Sequence, residues 1–123
     1  MKYVILIYGN PESRQAWAGF SDEQRAAGLA YYQQLNDDLD GSGERIVSGR
    51  LSDPALSRRV VVRDGTAVTA DGPFAEVKEQ LAGFYMIECE SYERVVEIAG
   101  RIPEASFGIV EVRPLMSLSG EEM

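Results

Sequence analysis

The chain is 123 residues long, 45% hydrophobic and 26% charged, which reads as one domain able to bury a modest core. Twelve basic residues against twenty acidic ones leave a formal charge of −8, a field that repels nucleic-acid phosphates and anionic lipid headgroups. Histidine is absent, which excludes Ser-His and Cys-His nucleophile pairs and imidazole metal sites; the lone Cys89 excludes an internal disulfide and fits a reducing, cytoplasmic setting.

Tyr3-Val4-Ile5-Leu6-Ile7-Tyr8 is β-branched, aromatic or aliphatic at odd and even positions alike, which predicts a strand covered on both faces. The run is too short for a signal-peptide core and stops at Gly9-Asn10-Pro11, read as a turn. No stretch is long enough to span a bilayer. Ser21-Asp22-Glu23-Gln24 is a capping-box pattern that opens a helix striped by Ala27, Tyr31, Leu35 and Leu39, with Gly41 as its expected stop. From Glu44 to Leu51 the pattern alternates, Val47, Gly49 and Leu51 against Ile46, Ser48 and Arg50, as in a one-sided or edge strand.

Arg59–Val62 and Thr66–Thr69 flank Asp64-Gly65, a strong hairpin signal. Gly83–Glu90 is again apolar on both faces, with Cys89 among core neighbours. Ser91 caps a second helix striped by Val95, Ile98, Ala99 and Ile102 and ended by Pro103. The last strand, Phe107–Pro114, sets Val110 and Val112 against Ile109, Glu111 and Arg113. Residues 1–116 read as a single domain and 117–123 as a polar tail expected to fray.

Without the hairpin the order is β-α-β-β-α-β, an α+β arrangement of the ferredoxin-like kind, whose first and third strands are central. The two doubly apolar strands are those two. Two helices cover one face of such a sheet, so its other face needs a lid, and a second copy of the chain supplies one.

Between the hairpin and the third sheet strand runs Asp71-Gly72-Pro73-Phe74-Ala75-Glu76-Val77-Lys78-Glu79, a turn carrying more functional groups than a connector needs. Continued as DGPFAEVKEQLAGFYMIE, it resembles the signature of the DGPF, or YCII-related, proteins. The likeness extends to Leu51-x-x-Pro54, Arg63-Asp64-Gly65, Arg101-Ile102-Pro103 and Glu111-Val112-Arg113-Pro114, nearly the whole chain. It implies a homodimer in which two ferredoxin-like domains form an α+β barrel, with no settled activity for most members.

Site candidates follow from both readings. Asp71 is the candidate catalytic residue, a general base if desolvated, against the plainer role of an Asx turn. In some YCII-related proteins a His-Asp pair is taken to act, and this chain keeps only the Asp. The candidate ligand-binding residues are Tyr8, Arg50, Phe74, Glu76, Lys78, Tyr85 and Arg113, of which the strand members offer rigid positions that a loop can cover. Glu76, Lys78 and Glu79 also suit a plain solvated face.

Asn36-x-Asp38-x-Asp40-Gly41 matches half of a calcium loop, but its twelfth place is Val47, so no metal is expected. No Walker loop or dinucleotide fingerprint occurs, so no cofactor is expected. Two functions of different class remain open. One is a small-molecule cleft floored by the Asp71 loop, with lyase-like chemistry on a ring compound of the kind the family resemblance implies. The other is a non-catalytic partner of an extracytoplasmic-function sigma factor, since such proteins are often encoded beside those factors.

Overall fold

The structure, a computed structural model, describes residues 1–74 and 78–123. Strand β1 (Lys2–Gly9) leads into α1 (Pro11–Ala18) and α2 (Asp22–Ser42), then β2 (Arg45–Arg50) and a 3-10 turn at Pro54–Leu56. Strands β3 (Arg58–Arg63) and β4 (Thr66–Asp71) follow, then β5 (Gln80–Glu88), α3 (Tyr92–Gly100), a 3-10 helix at Pro103–Phe107 and β6 (Val110–Pro114). The main sheet is antiparallel with order β2-β5-β1-β6, and β3-β4 forms a separate two-stranded ribbon. This is the α+β ferredoxin-like order with an added hairpin, and the two doubly apolar strands are central.

The core lies on one face of the sheet. Tyr3, Ile5 and Ile7 of β1 and Tyr85 and Ile87 of β5 alternate inward and meet Leu35 and Leu39 of α2, Val95 and Ile98 of α3, and Ile102. Each such aliphatic side chain stabilises the fold by roughly 1.5–3 kcal/mol through its removal from water. Cys89 is buried beside them. The intervening residues Val4, Leu6, Phe84 and Met86 point to the opposite face and are only half-buried. There Leu6 stands opposite Phe84, Val4 opposite Met86, and Gly49 opposite Phe84. A Cβ on Gly49 would come within 2.9 Å of the Phe84 ring, so the glycine makes room for it.

Several boundaries differ from the sequence reading. Asn10-Pro11 opens α1 rather than a turn: the Asn10 side chain accepts from Ser13 N at 2.7 Å, Ser13 Oγ accepts from Asn10 N at 3.0 Å, and Pro11 sits in the first turn. Helix α2 runs through Gly41 and stops at Gly43, which takes the left-handed conformation at φ 76° and bonds the last carbonyls. Its sheet-facing stripe is Gly28, Tyr32, Leu35, Asn36 and Leu39, while Ala27 and Tyr31 are exposed. Phe107 belongs to the 3-10 helix, and β6 starts at Val110.

The tail folds back instead of fraying. Ser117 N donates to Glu121 O at 2.7 Å and Met123 N to Leu115 O at 2.9 Å, around a positive-φ Gly120. The half calcium loop is helix, with its acids spent on arginines: Asp38 on Arg101 at 2.6 Å and Asp40 on Arg45 at 2.6 Å. No described helix is long and apolar enough to cross a membrane.

Candidate functional site

At the end of the sheet away from α3, small residues replace the large ones of the core. Gly83 of β5 faces inward beside Ile7; a Cβ there would lie 3.0 Å from the Gly49 carbonyl oxygen and 3.9 Å from the Ile7 methyl. Gly28 turns the same vacancy downward from α2, 3.8 Å from the Trp17 ring. The result is a cavity of about 860 Å³ between helices and sheet. Trp17, Phe20 and Leu29 form its roof, Pro103, Glu104 and Phe107 one wall, and Ile7, Gly83 and Tyr85 the floor.

Helix α1 is held over the cavity by Arg25 of α2. The Arg25 guanidinium donates to Trp17 O at 3.2 Å and to Ala18 O at 3.3 Å and lies 5.6 Å from the Trp17 ring centroid. On the sheet side, an irregular register in β2 between Arg45 and Val47 turns Arg45, Ser48 and Arg50 toward the helices.

The polar groups of the cavity are paired with care. Tyr32 donates its hydroxyl hydrogen to Glu104 Oε2, and Tyr85 donates to Asn36 Oδ1. Burial raises both phenols above their ordinary range, and for Tyr32 the bond to Glu104 adds to it. Both therefore stay protonated donors at neutral pH. Arg45 grips Asp40 with two bonds, Nε to Oδ1 at 2.8 Å and Nη2 to Oδ2 at 2.6 Å, and donates to Ser48 Oγ at 2.9 Å. That grip lowers the Asp40 carboxyl below the usual carboxylate range. The Arg14 and Arg50 guanidinium groups make no hydrogen bond or ion pair to a described residue. Chemically, the described lining offers an apolar roof for a ring, phenol donors, one carboxylate and two cations with no partner among the described residues.

A second, shallower cavity of about 440 Å³ lies against the hairpin and the DGPF turn, lined by Tyr8, Leu51, Pro54, Pro73, Phe74, Glu79 and Leu81. Phe74 is 67% exposed there, with the Arg59 guanidinium 5.7 Å from its ring centroid.

The sequence-predicted residues divide between these places. Tyr8, Arg50 and Tyr85 line the larger cavity, and Tyr8 also reaches the smaller one, donating to Glu111 Oε1 at 3.2 Å. Phe74 lines the smaller cavity. Asp71 ends β4 opposite Arg58 and is exposed; neither it nor Lys78 nor Arg113 lines either of these two cavities. Arg113 stands opposite Val4 on the uncovered sheet face. Glu76 lies outside the described residues.

Sequence reasoning missed Arg14, Trp17, Tyr32, Asn36, Arg45, Ser48 and Glu104. A signal existed for some of them. Asn10-Pro11-x-Ser13 is a capping box that would have placed Arg14 and Trp17 on a helix, and Gly28 in mid-helix marks a close approach.

An α+β ferredoxin-like domain with a polar-floored cavity between its helices and sheet is thus the class of protein. The family model described as the YCII-related domain matches residues 1–119, and the chain belongs to that family. An uncharacterized protein of Rhizobium meliloti (strain 1021) is 33% identical over 117 residues, spanning 94% of this chain and 92% of that one. Among solved structures, the chain is similar to 5-chloro-2-hydroxyhydroquinone dehydrochlorinase from Burkholderia phenoliruptrix AC1100, in complex with 2,5-dihydroxybenzoquinone. That likeness has a TM-score of 0.48 and 20% identity, over 98% of this chain and 100% of that one.

Proposed function

We propose that the chain binds a small ring compound in the cavity between its helices and sheet, acting as a cytoplasmic homodimer. The observation that carries this is the cavity itself. Its volume of about 860 Å³ falls within the roughly 300–1,000 Å³ usual for small-molecule sites. It joins an aromatic roof to inward polar groups mounted on strands and helices rather than on loops.

Lyase-like acid/base chemistry has a place there. Glu104 is the one carboxylate among the described lining residues, and Tyr32 is bonded to it, so a proton taken by the carboxylate has a phenol beside it. Asp71 remains a candidate base only for a substrate that reaches the DGPF turn, where Tyr8, Pro73 and Phe74 line the smaller cavity. Glu104→Gln and Asp71→Asn separate the two positions.

Native mass spectrometry of freshly purified protein tests the reading. A co-purified small-molecule adduct that disappears when Ser48→Trp fills the cavity supports it. A clean protein mass, together with capture of a sigma factor by the immobilised chain, would overturn it in favour of a partner protein.

A further inference from the structure

We propose that the ligand of the helix-side cavity is an anion, a planar ring compound bearing a carboxylate, and that Arg14 and Arg50 seat that carboxylate. The inference rests on reading the cavity as a ligand site and adds the charge of what enters it. The chain as a whole is strongly acidic, with 20 carboxylate residues against 12 cations. The described cavity lining reverses this, with Arg14, Arg45 and Arg50 against Glu104 alone.

Two of those four groups are already engaged, though only Arg45 loses its charge. Arg45 is neutralised by the bidentate Asp40, and Glu104 accepts the Tyr32 hydroxyl. What remains is a pair of guanidinium groups with no described partner, in a chain where carboxylates are plentiful. They come from different elements, Arg14 from the second turn of α1 and Arg50 from the last position of β2. Gly9 lies beside Arg14: a Cβ there would be 3.8 Å from Arg14 Nη1, so the absent side chain leaves that flank of the guanidinium open.

Guanidinium is planar and presents parallel donors that match a carboxylate better than a spherical anion. Trp17, Phe20 and Phe107 supply flat apolar surface for the ring that carries it. Both arginines are exposed, so the anion meets them without full loss of water, and their pull is screened by salt.

Trp17 is the sole tryptophan and lines the cavity, so its fluorescence reports occupancy. The probes are naphthoate and its uncharged isostere naphthamide, titrated into the intact protein at low and high salt. Naphthoate is expected to perturb Trp17 and to bind about a hundredfold more tightly than naphthamide, as two charge-assisted contacts predict. Arg14→Gln and Arg50→Gln should each weaken naphthoate about tenfold and leave naphthamide unchanged, with circular dichroism confirming the fold. Added salt should weaken naphthoate alone. Equal binding of the two probes, or naphthoate binding indifferent to both substitutions, overturns the anion assignment while leaving the cavity site standing. Silence of Trp17 toward both probes overturns the cavity reading and this inference with it.

Discussion

Tyr8, Tyr32 and Tyr85 all line the cavity, and burial is the first cause that raises each phenol above the ordinary value of 10.0. A raised folded pKa favours the protonated folded form. Its contribution is therefore intact below pH 10 and is lost as pH rises through the folded values. Stability measured by urea titration should be flat from neutrality to about pH 10 and decline above it. Glu104→Gln removes the negative charge beside Tyr32 while keeping an acceptor oxygen in place. In an alkaline absorbance titration one tyrosine should then titrate earlier than in the wild type, though still above 10, because burial remains. Asp71→Asn should change stability by less than about 1 kcal/mol, since Asp71 is exposed, and should leave Trp17-detected binding unchanged. Loss of binding in that variant would move the site to the DGPF turn.

Among the elements, α3 is tied to the corner between α2 and β2 by Arg94 and Glu44. Arg94 Nε and Nη2 donate to Glu44 Oε2 and Oε1 at 2.9 and 2.8 Å. The arginine's hydrogen bonds hold the Glu44 carboxyl at about 2 rather than 4.5. A depressed folded value means stability that is present above the unfolded pKa and is lost as pH falls through the folded one. Arg94→Gln is expected to cost about 1–2 kcal/mol at pH 7, less than the full pKa displacement implies, because Arg94 is a third exposed. The difference between variant and wild type should shrink as pH falls from about 4.5 to about 2. A difference that persists unchanged at pH 2 would show that Arg94 acts through packing instead.

At the scale of the molecule, the sheet has one filled face and one that carries Val4, Leu6, Phe84 and Met86 only half-covered. Leu6 lies at the middle of that face, opposite both Phe84 and Glu111. The hairpin also shows solvent its Val60, Val61 and Val62. A second copy is the proposed cover for such a surface. Light scattering at micromolar concentration should give twice the 13.6 kDa chain mass. Leu6→Arg should halve that mass while leaving the far-ultraviolet dichroism unchanged. A monomeric wild type at those concentrations would defeat the dimer.

Much of the architecture was written in local pattern. The doubly apolar runs around Ile5 and Tyr85 required central strands, Asp64-Gly65 required a hairpin, and the caps at Ser21 and Ser91 required helices; these depend on neighbours a few residues apart. The family, too, was legible from the DGPF stretch and its companions. Helix α1 was legible only in its Asn10–Ser13 cap, because it is eight residues long and buries none of them, so no stripe announces it. The cavity was hidden for a different reason. It is lined by Gly28 of α2 and Gly83 of β5, more than fifty positions apart in the chain, and its charge arises because Asp40 reaches Arg45 while Arg14 and Arg50 meet no partner among the described residues. Which side chains meet across a sheet and a helix, and which carboxylate neutralises which arginine, depends on distances set by packing; for this protein only the tertiary structure decided them.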